Sequence, residues 1–402
     1  MKTRLFFLLA FLFLIKLHAQ IVNIPDVNFK AALLAGNAQD INGNYIYDLD
    51  ANNDGEIQET EAKQVYKLIL YGDGIHSLEG IKSFVNLQIL DCGKNLLSTL
   101  DLQGFSNLKI LSCDSQIANG LALLNLQDCT NLEEVYCFNN QITSLNIKGC
   151  VNLQKLLCYY NNLTSLNVRD CTNLAILDCA DNQLTSLDLH DLTNLQVLNC
   201  NYNQINSLDI KGCINFYILS CSSNQLFFLN LDELSHLKKL YCDHNQLTTL
   251  ELQNCSSLEY FDCNNNQLET IQMKNESFQA YVIIHDNPSL RSICCDEIEK
   301  SYVQSLVSTN ITVTSDCSLL QTENISKTKK ISVFPNPVKD ILNLETSEKI
   351  KKVEILDLSG RLMKANLKVE NNKISVSDIV RGYYILKVYT EHSVIDSKFI
   401  KE

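Results

Sequence analysis

Along the middle of the chain, apolar and polar positions recur in one order, L-x-x-L-x-C-x-x-N-x-L-x-x-L-x-L, as in Leu174–Leu189, followed by a short polar return. Units begin at Leu87, Leu108, Leu132, Leu153, Leu174, Leu195, Phe216, Leu237 and Leu258. Every step is 21 residues except one of 24, where three residues enter around Ile117–Gly120. A further unit, Val65–Asn86, precedes them with Leu70 in the cysteine slot and Asp73 in the asparagine slot. A fixed period of this length predicts a solenoid in which each unit contributes one short strand. Strand side chains alternate. Counting the first leucine as position 1, positions 4 and 6 therefore point into the core and positions 3, 5 and 7 point out.

That placement bears on the cysteines. Position 6 holds Cys92, Cys113, Cys137, Cys158, Cys179, Cys200, Cys221, Cys242 and Cys263, a single file with one thiol per strand. Metal binding would need several thiolates converging on one point. A disulfide ladder is within reach at the roughly 4.8 Å strand spacing, but parallel side-chain directions and an odd number of thiols oppose it. Buried free thiols behave as small hydrophobes, which is the role expected here. Cys129, Cys150, Cys171, Cys213 and Cys255 form a second file, in a slot that Phe105, Leu192 and Leu234 fill in other units. These too are expected to be packing. The asparagines at position 9, such as Asn161 and Asn182, are expected to bond backbone groups that the turn leaves unpaired.

This signature resembles the leucine-rich repeat over about residues 65–277, with Gln116 and Ala118 the main departures. The resemblance implies an α/β-type repeat solenoid with a parallel β-sheet on its concave face.

The segments flanking the repeats carry their own signals. Lys2 and Arg4, the apolar run Leu5–Ile15 and a small residue at Ala19 form a signal-peptide pattern over residues 1–19. The run is shorter than the roughly 20 residues needed to cross a bilayer. Export and no membrane span are therefore expected. Residues 20–64 are read as an N-terminal cap that opens with a short helix over Ile24–Gly36. Within it, DANNDGEIQETE, Asp50–Glu61, fits the calcium-loop pattern D-x-[DN]-x-[DN]-G with Glu at position 12. Asp50, Asn52 and Asp54 would give side-chain oxygens and Glu56 its carbonyl. Gln58 would supply a ligand or a held water, and Glu61 a bidentate carboxylate. The rival reading is an Asp/Asn/Gly turn leading into a helix. No regular helix enters the loop, so one structural Ca2+ acting as a clip is expected, not a switch.

Residues 278–317 are read as the far cap. There Cys317 can pair with Cys294 or Cys295, or all three can stay reduced. A polar linker follows over 318–330. Residues 331–402 change to closely spaced alternating strands, which predict a small all-β, immunoglobulin-like sandwich. Four elements in this region stand in order: Phe334–Pro337 (FPNP), Asp357–Arg361 (DLSGR), Gly382–Val388 (GYYILKV) and Lys398–Lys401 (KFIK). They resemble the C-terminal sorting domain of type IX secretion, found on exported proteins of Bacteroidetes; Leu356 replaces the commoner tyrosine. The resemblance implies engagement of the type IX machinery, passage across the outer membrane, and release or attachment at the cell surface.

Composition narrows the functions further. A net charge of −13 leaves no basic stripe for nucleic acid. No H-E-x-x-H, G-x-S-x-G, P-loop or dinucleotide fingerprint occurs, and an enzyme is not expected. What remains is the outward face of the repeats. Positions 5, 7 and 8 gather Tyr136, Phe138, Leu157, Tyr159, Tyr160, Asp178, Asp181 and Tyr202, and further along Tyr241, Asp243, His244 and Asp262. Aromatic side chains exposed together usually mark contact. The bland alternative is aromatics that only stack on one another across strands. The expected partner is an extracellular protein, with a glycan ranking behind it and a ligand-free scaffold as the alternative.

Overall fold

The computed structural model describes residues 20–117, 120–190, 192–318 and 331–401, the last range without 347–348, 357–361, 366, 370 and 391–393. The expected signal peptide at residues 1–19, Ala118, most of the expected linker and the DLSGR run lie outside the described residues. The chain divides into two compact units, Met1–Cys317 and Ser318–Glu402.

In the first unit, each repeat lays three residues into a strand whose middle side chain is buried, as with Leu156, Leu177, Leu198 and Leu219. These strands form one sheet of twelve, from Ala38–Gln39 to Tyr281–Ile283. The first pair is antiparallel and the others are parallel. Pairing is in register: Ile176, Leu177 and Asp178 lie opposite Val197, Leu198 and Asn199. Each position therefore stacks on the same position of the next repeat, in columns that run across the sheet. The repeats return through short strands and turns, and helices of four residues or more (Val27–Leu34, Glu59–Ala62 and Lys300–Leu306 among the described residues) stand in the caps.

The strand exit carries the geometry that closes each turn. Position 8 adopts a left-handed backbone in successive repeats, with φ between 50° and 55° at Lys94, Ser115, Asn139, Tyr160, Asp181, Tyr202, Ser223, His244, Asn265 and Asp286. The next residue repairs the hydrogen bonding. Asn182 Oδ1 accepts from the Leu163 amide at 2.9 Å, and its Nδ2 donates to the carbonyls of Cys158, Cys179 and Ala180 at 3.1 Å. One side chain thus ties two consecutive repeats. Gln116, which departs from the signature, fills the same slot: it accepts from Leu97 N and donates to Cys92 O and Cys113 O. The ladder continues to Asn287, past residue 277.

The fifteen free cysteines are all buried. Burial pushes thiols of both files up, Cys137 and Cys200 to about 12 and Cys129 to about 11, which keeps these protonated. In the second file Cys129 donates to Leu102 O at 3.1 Å and Cys150 to Leu126 O at 3.2 Å, each a carbonyl of the preceding repeat.

Both ends of the solenoid are covered. Asp26 caps helix Val27–Leu34 through the amides of Asn28 and Phe29, while its other oxygen accepts from His76 and Ser77 of the first repeat. At the far end Cys294 is bonded to Cys317, and Cys295 is a buried free thiol packed in the core. Neighbouring strand residues point to opposite sides, which separates the two.

The second unit is two antiparallel sheets, one of three strands and one of four, around a core that includes Val353, Ile374, Leu386 and Phe399. Within FPNP, Asn336 Oδ1 accepts from the Ile400 amide at 2.7 Å and Nδ2 donates to Lys398 O at 3.3 Å. The first motif of this unit therefore clasps the last.

Candidate functional site

The outward columns of the sheet bring the sequence-selected residues into two groups. In the first, the rings of Phe138 and Tyr159 stack with centroids 4.7 Å apart and planes 2° from parallel. Tyr160 meets Tyr159 edge-on at 5.7 Å. It can do so because the left-handed position 8 swings its side chain off the strand, leaving Tyr160 57% exposed. Tyr136 and Leu157 sit opposite each other in position 5. The Lys155 ammonium lies 4.9 Å from the Tyr136 ring centre, and the Tyr136 hydroxyl donates to Glu134. Asp178 follows on the next strand. Asp181 falls in the position-8 column between Tyr160 and Tyr202, the latter 60% exposed.

The second group lies toward the far end. Tyr241 and Tyr260 approach at 4.9 Å, and Tyr260 and Tyr281 at 6.3 Å. Asp243 accepts from Ser222 Oγ and pairs with His244 Nδ1 at 2.8 Å. Tyr260 escaped the sequence reading because it occupies position 3, and Tyr281 because it lies past residue 277, in a strand that the sequence assigned to the far cap. Position 3 also points outward, so reading it alongside 5, 7 and 8 would have found Tyr260, and Tyr281 as well once the repeats were carried one unit further.

The carboxylates of this face are unusual in their surroundings. Burial, reinforced by the neighbouring Asp181, raises the Asp178 carboxyl above its ordinary value. Asp262 is raised in the same way, by burial and by Asp243. Tyr159 is raised by burial and by Asp178, and Tyr260 by burial and by Asp262. Each aromatic group thus has a carboxylate within electrostatic reach.

The loop Asp50–Glu61 closes on its own backbone. Asp50 accepts from the amides of Asp54 and Gly55, and Glu61 from those of Ala51 and Gln58. Asn52 accepts from Asp54 N, and Gln58 Nε2 donates to Asp54. The Glu56 amide bond is the main cause that holds Asp54 below the usual carboxylate range. Its Glu56 side chain pairs with Lys30 at 2.7 Å. By type this all-oxygen donor set suits calcium. As arranged, the oxygens face amides, and among the described residues no three His, Cys, Asp or Glu side chains gather around one point.

Comparison with known proteins adds three findings. Residues 332–402 match the secretion system C-terminal sorting domain, and residues 235–275 match leucine rich repeats (2 copies). No curated protein matches the chain. Among solved structures, the chain is similar to the functional domain of InlJ from Listeria monocytogenes, described as including a cysteine ladder, at 19% identity and a TM-score of 0.39, covering 95% of this chain and 98% of that one. It is similar to the internalin InlF of the same organism at 17% and 0.47, covering 75% and 92%. It is also similar to L. monocytogenes InlP at 16% and 0.45, covering 94% and 96%. The chain thus carries leucine-rich repeats and a type IX sorting domain, which indicates secretion and cell-surface attachment. Among the described residues no helix is long and apolar enough to cross a membrane.

Proposed function

We propose that the chain is a surface-displayed recognition protein that binds an extracellular protein, without chemistry, through the outward face of its twelve-stranded sheet. The observation that carries this reading is the stacked Phe138–Tyr159 pair extended by the exposed Tyr160. Aromatic rings offer large contact area with little conformational freedom to lose, and such anchors dominate binding energy. The type IX tail would deliver that face to the outside of the cell. The experiment is binding of the intact chain to a panel of extracellular-matrix proteins and surface glycans, repeated with Tyr159→Ala/Tyr160→Ala. Saturable protein binding that falls by about tenfold or more in the double variant is expected. Capture of glycans alone would move the reading to polysaccharide recognition. No binding, or equal binding by the variant, would leave the aromatics as cross-strand packing and favour a scaffold.

The loop at Asp50–Glu61 we assign to one structural calcium ion, held by Asp50, Asn52, Asp54, Glu56, Gln58 and Glu61, on the strength of its oxygen donors. Chelation should lower the melting temperature by several degrees, and added calcium should restore it. A melting temperature indifferent to calcium would remove the ion from the account.

A further inference from the structure

The two central outward columns, positions 5 and 7, hold Asp91, Asp114, Asp178, Asp243 and Asp262 and no lysine or arginine. The lysines of this face stand at its margins, as Lys155 does in position 3 and Lys94 in position 8. No Lys or Arg among the described residues lies within salt-bridge distance of Asp178, Asp181 or Asp262. The face also shows how it holds a cation when one is present: Lys155 sits over the Tyr136 ring, and Lys94 lies 5.3 Å from the Tyr71 ring centre.

Four of the central carboxylates stand near an aromatic ring: Asp178 and Asp114 near Tyr159, Asp262 and Asp243 near Tyr260. Asp114 already accepts from the Ser112 hydroxyl, and Asp243 from Ser222 with His244 paired to it. The other two are Asp178, opposite Leu157 on the strand beside Tyr159, and Asp262, opposite Tyr241 and two residues along the strand from Tyr260. Asp178 and Asp262 occupy the same column, four strand steps apart. At about 4.8 Å per step this is roughly 19 Å. An extended peptide running across the strands rises about 3.4 Å per residue and covers that distance in about six residues. Six is an even number, so both side chains of such a pair would leave the peptide on the same side.

We infer that the sheet face takes an extended protein segment bearing two cationic side chains, arginine or lysine, about six residues apart, one on Asp178 and Tyr159 and the other on Asp262 and Tyr260. This rests on the recognition role proposed above. The planar guanidinium both stacks on tyrosine and pairs with a carboxylate, so arginine is the better fit.

The test is selection of random dodecapeptides, displayed on phage, on the intact chain, with Asp178→Asn and Asp262→Asn chains as parallel baits. Asparagine keeps shape and removes charge, and thermal melting checks that each variant is folded. The expected result is enrichment of paired Arg or Lys at a separation of about six. Each variant should lose that spacing preference, and about 0.5 M salt should weaken capture by about tenfold or more. Enrichment without basic residues, no spacing preference, no enrichment at all, or unchanged selection on the variants would each overturn the inference. Protein binding that still depends on Tyr159 and Tyr160 would, in that event, leave the recognition reading standing. Loss of that dependence would remove both.

Discussion

On the inner side of the sheet, Leu177 has Leu156 and Leu198 as column neighbours; on the outer side, Asp178 has Leu157 and Asn199. The same strands make both faces. Inward, the side chain must match its neighbours because each repeat buries its apolar edge only against the next. Outward, nothing in the packing dictates identity, so Tyr136, Leu157, Asp178, Asn199 and Ser220 follow one another in a single column. Inner positions can be changed only at the cost of the fold, while outer positions can change with little effect on stability.

The largest effect should come from breaking the inner face. Asn182→Ala removes one acceptor and three donations that tie two repeats, and leaves buried backbone groups unpaired. A loss of about 3 kcal/mol is expected in urea denaturation. Cys179→Ser should cost less, about 1–3 kcal/mol, by putting a hydroxyl among apolar neighbours. In the same face, native protein treated with a thiol reagent should leave the free cysteines unlabelled until it is unfolded, read by mass spectrometry; labelling of the folded protein would contradict the raised thiol values. On the outer face, Tyr159→Ala/Tyr160→Ala should change stability by only about 1 kcal/mol. The smallest effect tests the outer carboxylates. The Asp178 carboxyl is raised in the folded chain, so the stability its proton confers is complete below the unfolded carboxylate range and is lost as pH rises through the folded value. Asp178→Asn, uncharged at every pH, should be at least as stable as the parent near pH 7, with the gap closing toward about pH 4. A variant that is less stable at pH 7 would show that the charge is structural.

How legible each feature was depended on whether one residue or many carried it. The solenoid was readable because leucine, cysteine and asparagine recur in fixed slots. Gln116 looked like a break, yet its amide makes the same bonds from one methylene further out, which a residue pattern does not display. Cys317 had two candidate partners in sequence, and only the alternation of a strand separates Cys294 from Cys295. The outer face was half legible: Phe138, Tyr159 and Tyr160 were found, while Tyr260 depended on reading a fourth column and Tyr281 on carrying the repeats past residue 277. The loop Asp50–Glu61 matches a pattern of ligand types, and types do not say which way the oxygens turn. The link from Asn336 to the last strand joins residues 64 apart and could not be read from either motif alone.

The left-handed backbone at the strand exit also limits what this surface can become. Lys94, Ser115, Asn139, Tyr160, Asp181, Tyr202, Ser223, His244, Asn265 and Asp286 share that conformation, and no valine, isoleucine or threonine is among them. A branched β-carbon clashes there. A combinatorial library built on this scaffold could therefore diversify the column with aromatic, charged, amide and small residues, but should leave the three β-branched ones out of its codon mix. The rule costs little chemical variety, since the column already displays an ammonium, carboxylates, amides, an imidazole and phenols, one per repeat.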